Sequence, residues 1–173
     1  GKDEGIEIKF SNVYFSYSDG HQLLQNVNAT IAPGKLVLLT GESGSGKSSM
    51  LRLLTGAFSN FTGNVLIENL PVASYEIDSL RRGTGILLGS QDIFRGSLWD
   101  NLTMGNEEIG TEEVSKLVKL TGLDQFVQSC KDGYDTILQP VGNKLSGYVR
   151  KNILLIRALL GSHRLLLLEE PFN

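Results

Sequence analysis

Residues 41–49 read Gly41-Glu42-Ser43-Gly44-Ser45-Gly46-Lys47-Ser48-Ser49, with one lysine and two hydroxyls closing a run of small residues. Composition alone would also suit a flexible linker, but these types at this spacing satisfy G-x-x-x-x-G-K-[ST], the phosphate-binding loop. The flanks favour the loop. A continuous apolar run at residues 36–40 leads in, and Met50, Leu51, Leu53 and Leu54 lead out at helical spacing. A strand that turns through glycines into a helix lets successive N–H groups converge on one anion, and the helix N-terminus adds partial positive charge. Lys47 is then placed to reach the β- and γ-phosphates of a nucleoside triphosphate, and the Ser48 hydroxyl to ligate Mg²⁺. Nucleotide kinases, GTPases and transporter ATPases all use such a loop, so it specifies the triphosphate and leaves the function open.

The elements that must hold this loop can be read around it. Ile6, Ile8 and Phe10 alternate with polar residues, and Val13, Phe15 and Tyr17 continue the period of two. Residues 28–31 form a further short strand candidate, and Pro33-Gly34 is a turn signal. The run at 36–40 predicts a strand buried on both faces. After the loop the pattern predicts a helix ending near Gly56, then strands at 64–68 and 85–89. Between 97 and 160 the texture is helical. Val114, Leu117, Val118 and Leu120 are helical in spacing behind Thr111-Glu112-Glu113, a predicted cap and acidic first turn. Residues 123–130 and 147–160 predict two more helices, and residues 165–168 a buried strand ending in Glu169-Glu170-Pro171. Strands first, a helical block next and a core strand last imply an α/β chain with an inserted helical subdomain.

Composition removes several function classes. A net charge of -3 argues against nucleic-acid binding by bulk attraction. Cys130 is the sole cysteine, which leaves no intrachain disulfide and no cysteine metal site. His21 and His163 are the only histidines, and their spacing suits neither zinc nor a Ser-His-Asp triad. No apolar run approaches the roughly 20 residues that cross a bilayer, so any membrane work would need another segment to span it.

Four further stretches carry the reading beyond the loop. Tyr17 stands in "VYFSYSDG", Gln91 in "GSQDIFRGSLWDNL", Leu145-Ser146-Gly147 in "GYDTILQPVGNKLSGYVRKNILLIRALL", and Glu169-Glu170 in "LLLLEEPFN". Together with the phosphate loop they resemble, almost end to end, the ATP-binding domain of ABC transporters, and the exporter subfamily most closely. The resemblance implies a P-loop NTPase core with an N-terminal antiparallel β-subdomain and an inserted α-helical subdomain. Its parts would be 1–96 with Walker A, 97–160 with the signature, and 161–173 with the Walker B strand. Tyr17 would stack on adenine, with Tyr14 and Phe15 as competitors, since a π face suits a flat base. Gly41, Glu42, Ser43, Gly44, Ser45, Gly46, Lys47, Ser48 and Ser49 would line the ATP. Gln91 would sense Mg²⁺ and the attacking water and couple the site to the membrane part. Glu170 would polarise the water, and Ser48, Gln91 and Glu169 would serve the metal. Ser146 and Gly147 would meet the γ-phosphate of ATP held by the opposite protomer.

The sequence also departs from that family. Tyr148 stands where the second signature glycine belongs, and Val149 where the glutamine belongs. Glu169 replaces the Walker B aspartate, which moves its carboxylate by one methylene. Two functions follow. In the first the domain is an exporter's ATPase, paired head to tail with a second nucleotide-binding domain, joined to a transmembrane domain, and located at the cytoplasmic face of the cell (inner) membrane. In the second it binds ATP to stabilise a dimer or partner and hydrolyses little. A small-molecule kinase would explain the loop but not the LSG and EEP segments. The family continues beyond Walker B with a D-loop and a switch histidine, for which neither His21 nor His163 is placed. The 173 residues alone are therefore expected to expose apolar surface and to bind ATP with negligible turnover.

Overall fold

A computed structural model describes residues 5–18, 20–140 and 145–170. Pro171 of the predicted Walker B segment, and the residues immediately before Leu145, lie outside the described part. The chain divides into two compact units, residues 1–83 and 84–173.

The first unit is built on β1 (Ile8–Ser16), β2 (Gln22–Ile31), α1 (Lys47–Leu53), β3 (Phe61–Ile67), β4 (Leu70–Pro71) and α2 (Ile77–Arg82). Its sheet is antiparallel in the order β2-β1-β3-β4, with Ile8 opposite Ile31 on one side and Ile67 on the other. The two alternating runs of the sequence are one strand, bent by register shifts around Asn12, whose φ is 51°. Ile8, Phe10, Val13 and Phe15 are buried with Leu24, Leu53, Val65 and Ile67. Each such burial contributes about 1.5–3 kcal/mol. β2 is longer than the expected segment at 28–31 because the ladder with β1 extends back to Gln22.

Residues 36–40 correct the sequence reading. They form no strand, and Leu36 and Leu38 are exposed at 101% and 83%. An apolar run states a preference for burial, but a strand also needs a neighbouring ladder for its N–H and C=O groups. None pairs with this run among the described residues.

The second unit holds β5 (Thr84–Leu87), β6 (Gly96–Ser97), α3 (Leu98–Thr103), α4 (Thr111–Leu120), α5 (Asp124–Ser129), β7 (Ile137–Leu138), α6 (Gly147–Leu159) and β8 (Leu165–Leu168). β5 and β8 pair in parallel, Thr84 opposite Leu165 through Leu87 opposite Leu168. β8 is less buried than expected, with Leu167 covered and Leu166 exposed. The amphipathic α6 has two apolar sides. Ile153, Ile156 and Leu160 join Leu98, Leu102, Val114 and Val118 in the helical block, while Leu154, Leu155 and Ala158 join Leu87. The cap of α4 also differs from expectation. Gly110 holds the N-cap position without a side-chain bond, and Thr111 is already helical. No helix of the described residues is long and apolar enough to cross a membrane.

α3 starts with a capping box. The Ser97 hydroxyl accepts from the Asp100 N–H at 2.9 Å, and the Asp100 carboxylate accepts from the Ser97 N–H at 3.2 Å. Ser97→Ala removes the first bond and is expected to cost about 1 kcal/mol of stability. Urea denaturation of the second unit's helical signal checks this, and an unchanged midpoint would refute it.

Candidate functional site

The first unit gathers the phosphate-loop residues and Tyr17 in one place. β1 ends at Ser16, so Tyr17 follows directly, and α1 begins at Lys47. Tyr17, Leu23, Gly44, Gly46, Lys47, Ser48 and Ser49 line an open cleft of about 240 Å³. Of the three aromatic candidates only Tyr17 is there. Phe15 is buried in the core, and Tyr14, one residue along the strand, belongs to its opposite face. Phe15 and Phe58 hold the Tyr17 ring edge-on, with centroids at 5.0 Å and 6.0 Å. Its hydroxyl shares a 2.8 Å hydrogen bond with Ser49 Oγ, tying the ring to the first turn of α1.

The loop closes on its own lysine. Lys47 Nζ donates to Gly41 O at 2.8 Å, to Glu42 O at 2.6 Å and to Ser45 Oγ at 3.3 Å. The ammonium thus sits in the curve of the backbone it follows. Gly46, the N-cap of α1, has φ 93°, and a Cβ there would lie 2.7 Å from the Leu24 side chain. The left-handed backbone favours glycine there, while the Leu24 methyl could shift to make room. α1 carries no acidic residue in its first turn, so the field at its N-terminus is not cancelled locally.

The second unit holds the other motif residues. At the turn after β5, the Leu88 N–H donates to Gln91 Oε1 at 3.1 Å, and the Gly89 N–H donates to Glu169 Oε2 at 2.8 Å. The parallel β5–β8 pair produces this meeting, since the Glu169 N–H extends the ladder to Leu87 O. Gln91 and Glu169 therefore attach to adjacent peptides of one turn. Glu170 is exposed, with φ 45°. That region is sparsely used by residues with a Cβ and recurs at functional positions.

Ser146 caps α6, its hydroxyl accepting from the Val149 N–H at 3.2 Å. Nothing would crowd a Cβ at Gly147. Leu145 and Val149 pack against the helical-block core, so Val149 has become a packing residue. Tyr148 is 60% exposed, and its hydroxyl donates to Thr121 O at 2.7 Å.

Sequence reasoning missed the clamp on the segment after Gln91. Arg150 pairs with Asp92. Arg157 donates to Asp92 O at 3.0 Å and to Asn101 O at 2.8 Å, and lies over the Phe94 ring. Asn101, fully buried, exchanges hydrogen bonds with the Phe94 backbone. Burial raises the Asp92 carboxyl, but the Ile93 N–H and the guanidinium of Arg150 outweigh it and hold it below the usual range. Burial lowers Arg157, and Asp92 opposes that shift. The two arginines stand 56 to 65 positions from the groups they bond, so no local pattern signals those contacts. Leu23 and Phe58, which line and brace the cleft, had no signal either.

Comparison with known proteins bears on the same residues. The family model described as ABC transporter matches residues 24–173. Alpha-hemolysin translocation ATP-binding protein HlyB of Escherichia coli O157:H7 is 34% identical over 165 residues, covering 95% of this chain and 23% of that protein. The ATP-dependent lipid A-core flippase of Legionella pneumophila is 32% identical over 164 residues, covering 95% of this chain and 28% of that protein. Among solved structures, a bacterial Atm1-family ABC exporter with ATP bound matches with a TM-score of 0.88 and 27% identity, over 99% of this chain and 30% of that one. The chain thus spans about a quarter of the length of the curated relatives it matches.

Proposed function

Because this chain belongs to the ABC transporter family, we propose that it is the ATP-binding domain of an exporter, coupling MgATP binding and hydrolysis to transport across a membrane. The observation that carries this reading is the cleft at the start of α1, where Tyr17, Lys47, Ser48 and Ser49 converge. An aromatic face, an ammonium and hydroxyls at a helix N-terminus complement a base, a polyphosphate and its cation respectively. The relatives' names support an exporter: one is a translocation ATP-binding protein, another a flippase, and the matched structure an exporter with ATP bound.

The roles are assigned residue by residue. The Tyr17 ring stacks on adenine. Backbone N–H groups of residues 41–49 turn to the phosphates, and Lys47 exchanges its loop oxygens for phosphate oxygens. The Ser48 hydroxyl, the Gln91 amide oxygen and the Glu169 carboxylate are hard oxygen donors, the class that Mg²⁺ takes. Among the described residues no three His, Cys, Asp or Glu side chains gather as a metal site. That suits a cation held in large part by nucleotide oxygens and water. Mg²⁺, when bound with ATP, supplies neutralisation of the β- and γ-phosphate charge. Glu170 holds and polarises the attacking water. Ser146 and Gly147 serve ATP bound to a second nucleotide-binding domain in a head-to-tail pair. A transmembrane domain in the complete protein, with this domain on the cytoplasmic face, converts closure and opening of the pair into transport.

A second reading rests on Tyr148 in the signature and on the Glu169 carboxylate being engaged by Gly89. In it the domain holds ATP, stabilises a pair and hydrolyses little. MgATP turnover by the complete protein separates the two. Phosphate release above that of Glu170→Gln supports the motor, while ATP retained intact by the wild type supports the binding module.

Tyr17→Ala tests the base contact. Loss of one stacking face is expected to weaken ATP affinity roughly tenfold, with inorganic triphosphate affinity unchanged. Equal losses for both ligands, measured by calorimetry, would show that Tyr17 acts on the loop and not on adenine.

A further inference from the structure

We propose that Tyr148 is a positioning residue whose phenol straps the first turn of α6 to the end of α4, holding Ser146 and Gly147 in place. Thr121 ends α4. Its N–H donates to Leu117 O at 3.0 Å, and its own hydroxyl donates to Leu117 O and Val118 O. Its carbonyl lies beyond the last helical bond, one of the acceptors a helix leaves without an internal partner. Two donors from α6 converge on it: Tyr148 Oη at 2.7 Å and Asn152 Nδ2 at 3.4 Å.

These two residues are one turn apart on the same side of α6. Since one carbonyl reaches both, the Tyr148 ring lies alongside the first turn and not beyond its N-terminal end. The next residue is shaped to receive it. Gly122 has φ 74°, and a Cβ there would lie 2.7 Å from the phenolic oxygen. The neighbours of Tyr148 are fixed as well: Ser146 holds the Val149 N–H, and Val149 packs in the helical block. Tyr148 therefore replaces glycine without covering the backbone at Ser146 and Gly147, and it transfers the rigidity of the α4 corner to them.

The catalytic consequence rests on the proposed role of Ser146 and Gly147 toward nucleotide. The strap itself does not. Tyr148→Phe keeps the ring and deletes the donor. In the complete protein, loss of one hydrogen bond is expected to speed amide hydrogen exchange at Val149 and Arg150, whose N–H groups bond Ser146 Oγ and Ser146 O, roughly fivefold. Turnover should fall by a similar factor, with KM for ATP changed by less than about twofold, because the cradle that binds ATP is untouched. Unchanged exchange in Tyr148→Phe overturns the strap. Faster exchange with unchanged kcat, in a wild type that turns over, overturns the positioning role. Tyr148→Gly is expected to lose both protection and turnover, and turnover above wild type would show that the ring obstructs the site. A wild type without turnover would count against the proposed ATPase, and exchange would still decide the strap.

Discussion

Lys47→Ala is expected to reduce MgATP turnover by roughly a thousandfold, the scale seen when a preorganised charge-stabilising donor is removed, and to weaken ATP binding at least tenfold. The geometry explains why one side chain has so large an effect. Its ammonium bonds three oxygens of its own loop, Gly41 O, Glu42 O and Ser45 Oγ. It is therefore both the brace that curls the loop and the charge a polyphosphate would meet. Alanine removes the two together while remaining a good helix former at the first position of α1, so the fold should persist. Lys47→Arg is expected to fare little better, since a planar fork cannot place one compact charge against three loop oxygens. Phosphate release by the complete protein, with circular dichroism as the folding control, is the measurement. Turnover within tenfold of wild type in Lys47→Ala would refute the phosphate-site assignment.

Glu170→Gln is expected to lower turnover by roughly 10³-fold while leaving ATP affinity within about threefold, as for loss of a general base. The substitution conserves volume and removes only the charge. Glu170 is exposed, at the end of β8, with φ 45°. A glutamine meets the same backbone demand there, so the loss would report chemistry and not strain. The neighbouring Glu169 is committed to the Gly89 N–H, which makes it a poor substitute. The variant should accumulate bound, unhydrolysed ATP, detectable by filter retention of labelled nucleotide. Equal, measurable turnover in variant and wild type would overturn the role assigned to Glu170, whereas a wild type that itself retains ATP intact would move the domain to the binding-module reading.

The legibility of these sites follows their locality. Residues 41–49 could be read as a phosphate loop because its residue types and their spacing are carried within nine consecutive positions. Lys47 reaches back to Gly41 and Glu42, and Gly46 has a φ that favours glycine. Tyr17 was one of three aromatics until β1 stopped at Ser16 and placed Phe15 in the core. The apolar run at 36–40 was read as a strand because hydrophobicity is local, but ladder pairing is not, and no partner pairs with it among the described residues. The cap of α4 was displaced by one residue, to Gly110, since several N-terminal registers fit Gly110-Thr111-Glu112.

The signature segment shows the same division at finer scale. Helical periodicity was enough to start α6 at Gly147 behind Ser146, and the motif was enough to mark Tyr148 and Val149 as substitutions. Their consequences were not in the string. Val149 faces the helical block, and Tyr148 reaches a carbonyl 27 positions earlier that α4 leaves over at its end.

Residue type and short-range spacing determined the phosphate loop, the family and most helices and strands, because glycine torsions, helix periodicity and strand alternation act over a few residues. Tertiary structure decided the union of Gln91 with Glu169 at one turn, the clamp of Asp92 by Arg150 and Arg157, and the direction of Tyr148. Apart from the local Leu88–Gln91 bond, each of these is a hydrogen bond or ion pair across tens of residues. Such a contact exists only after β5 has found β8 and α6 has packed between the helical block and the strands.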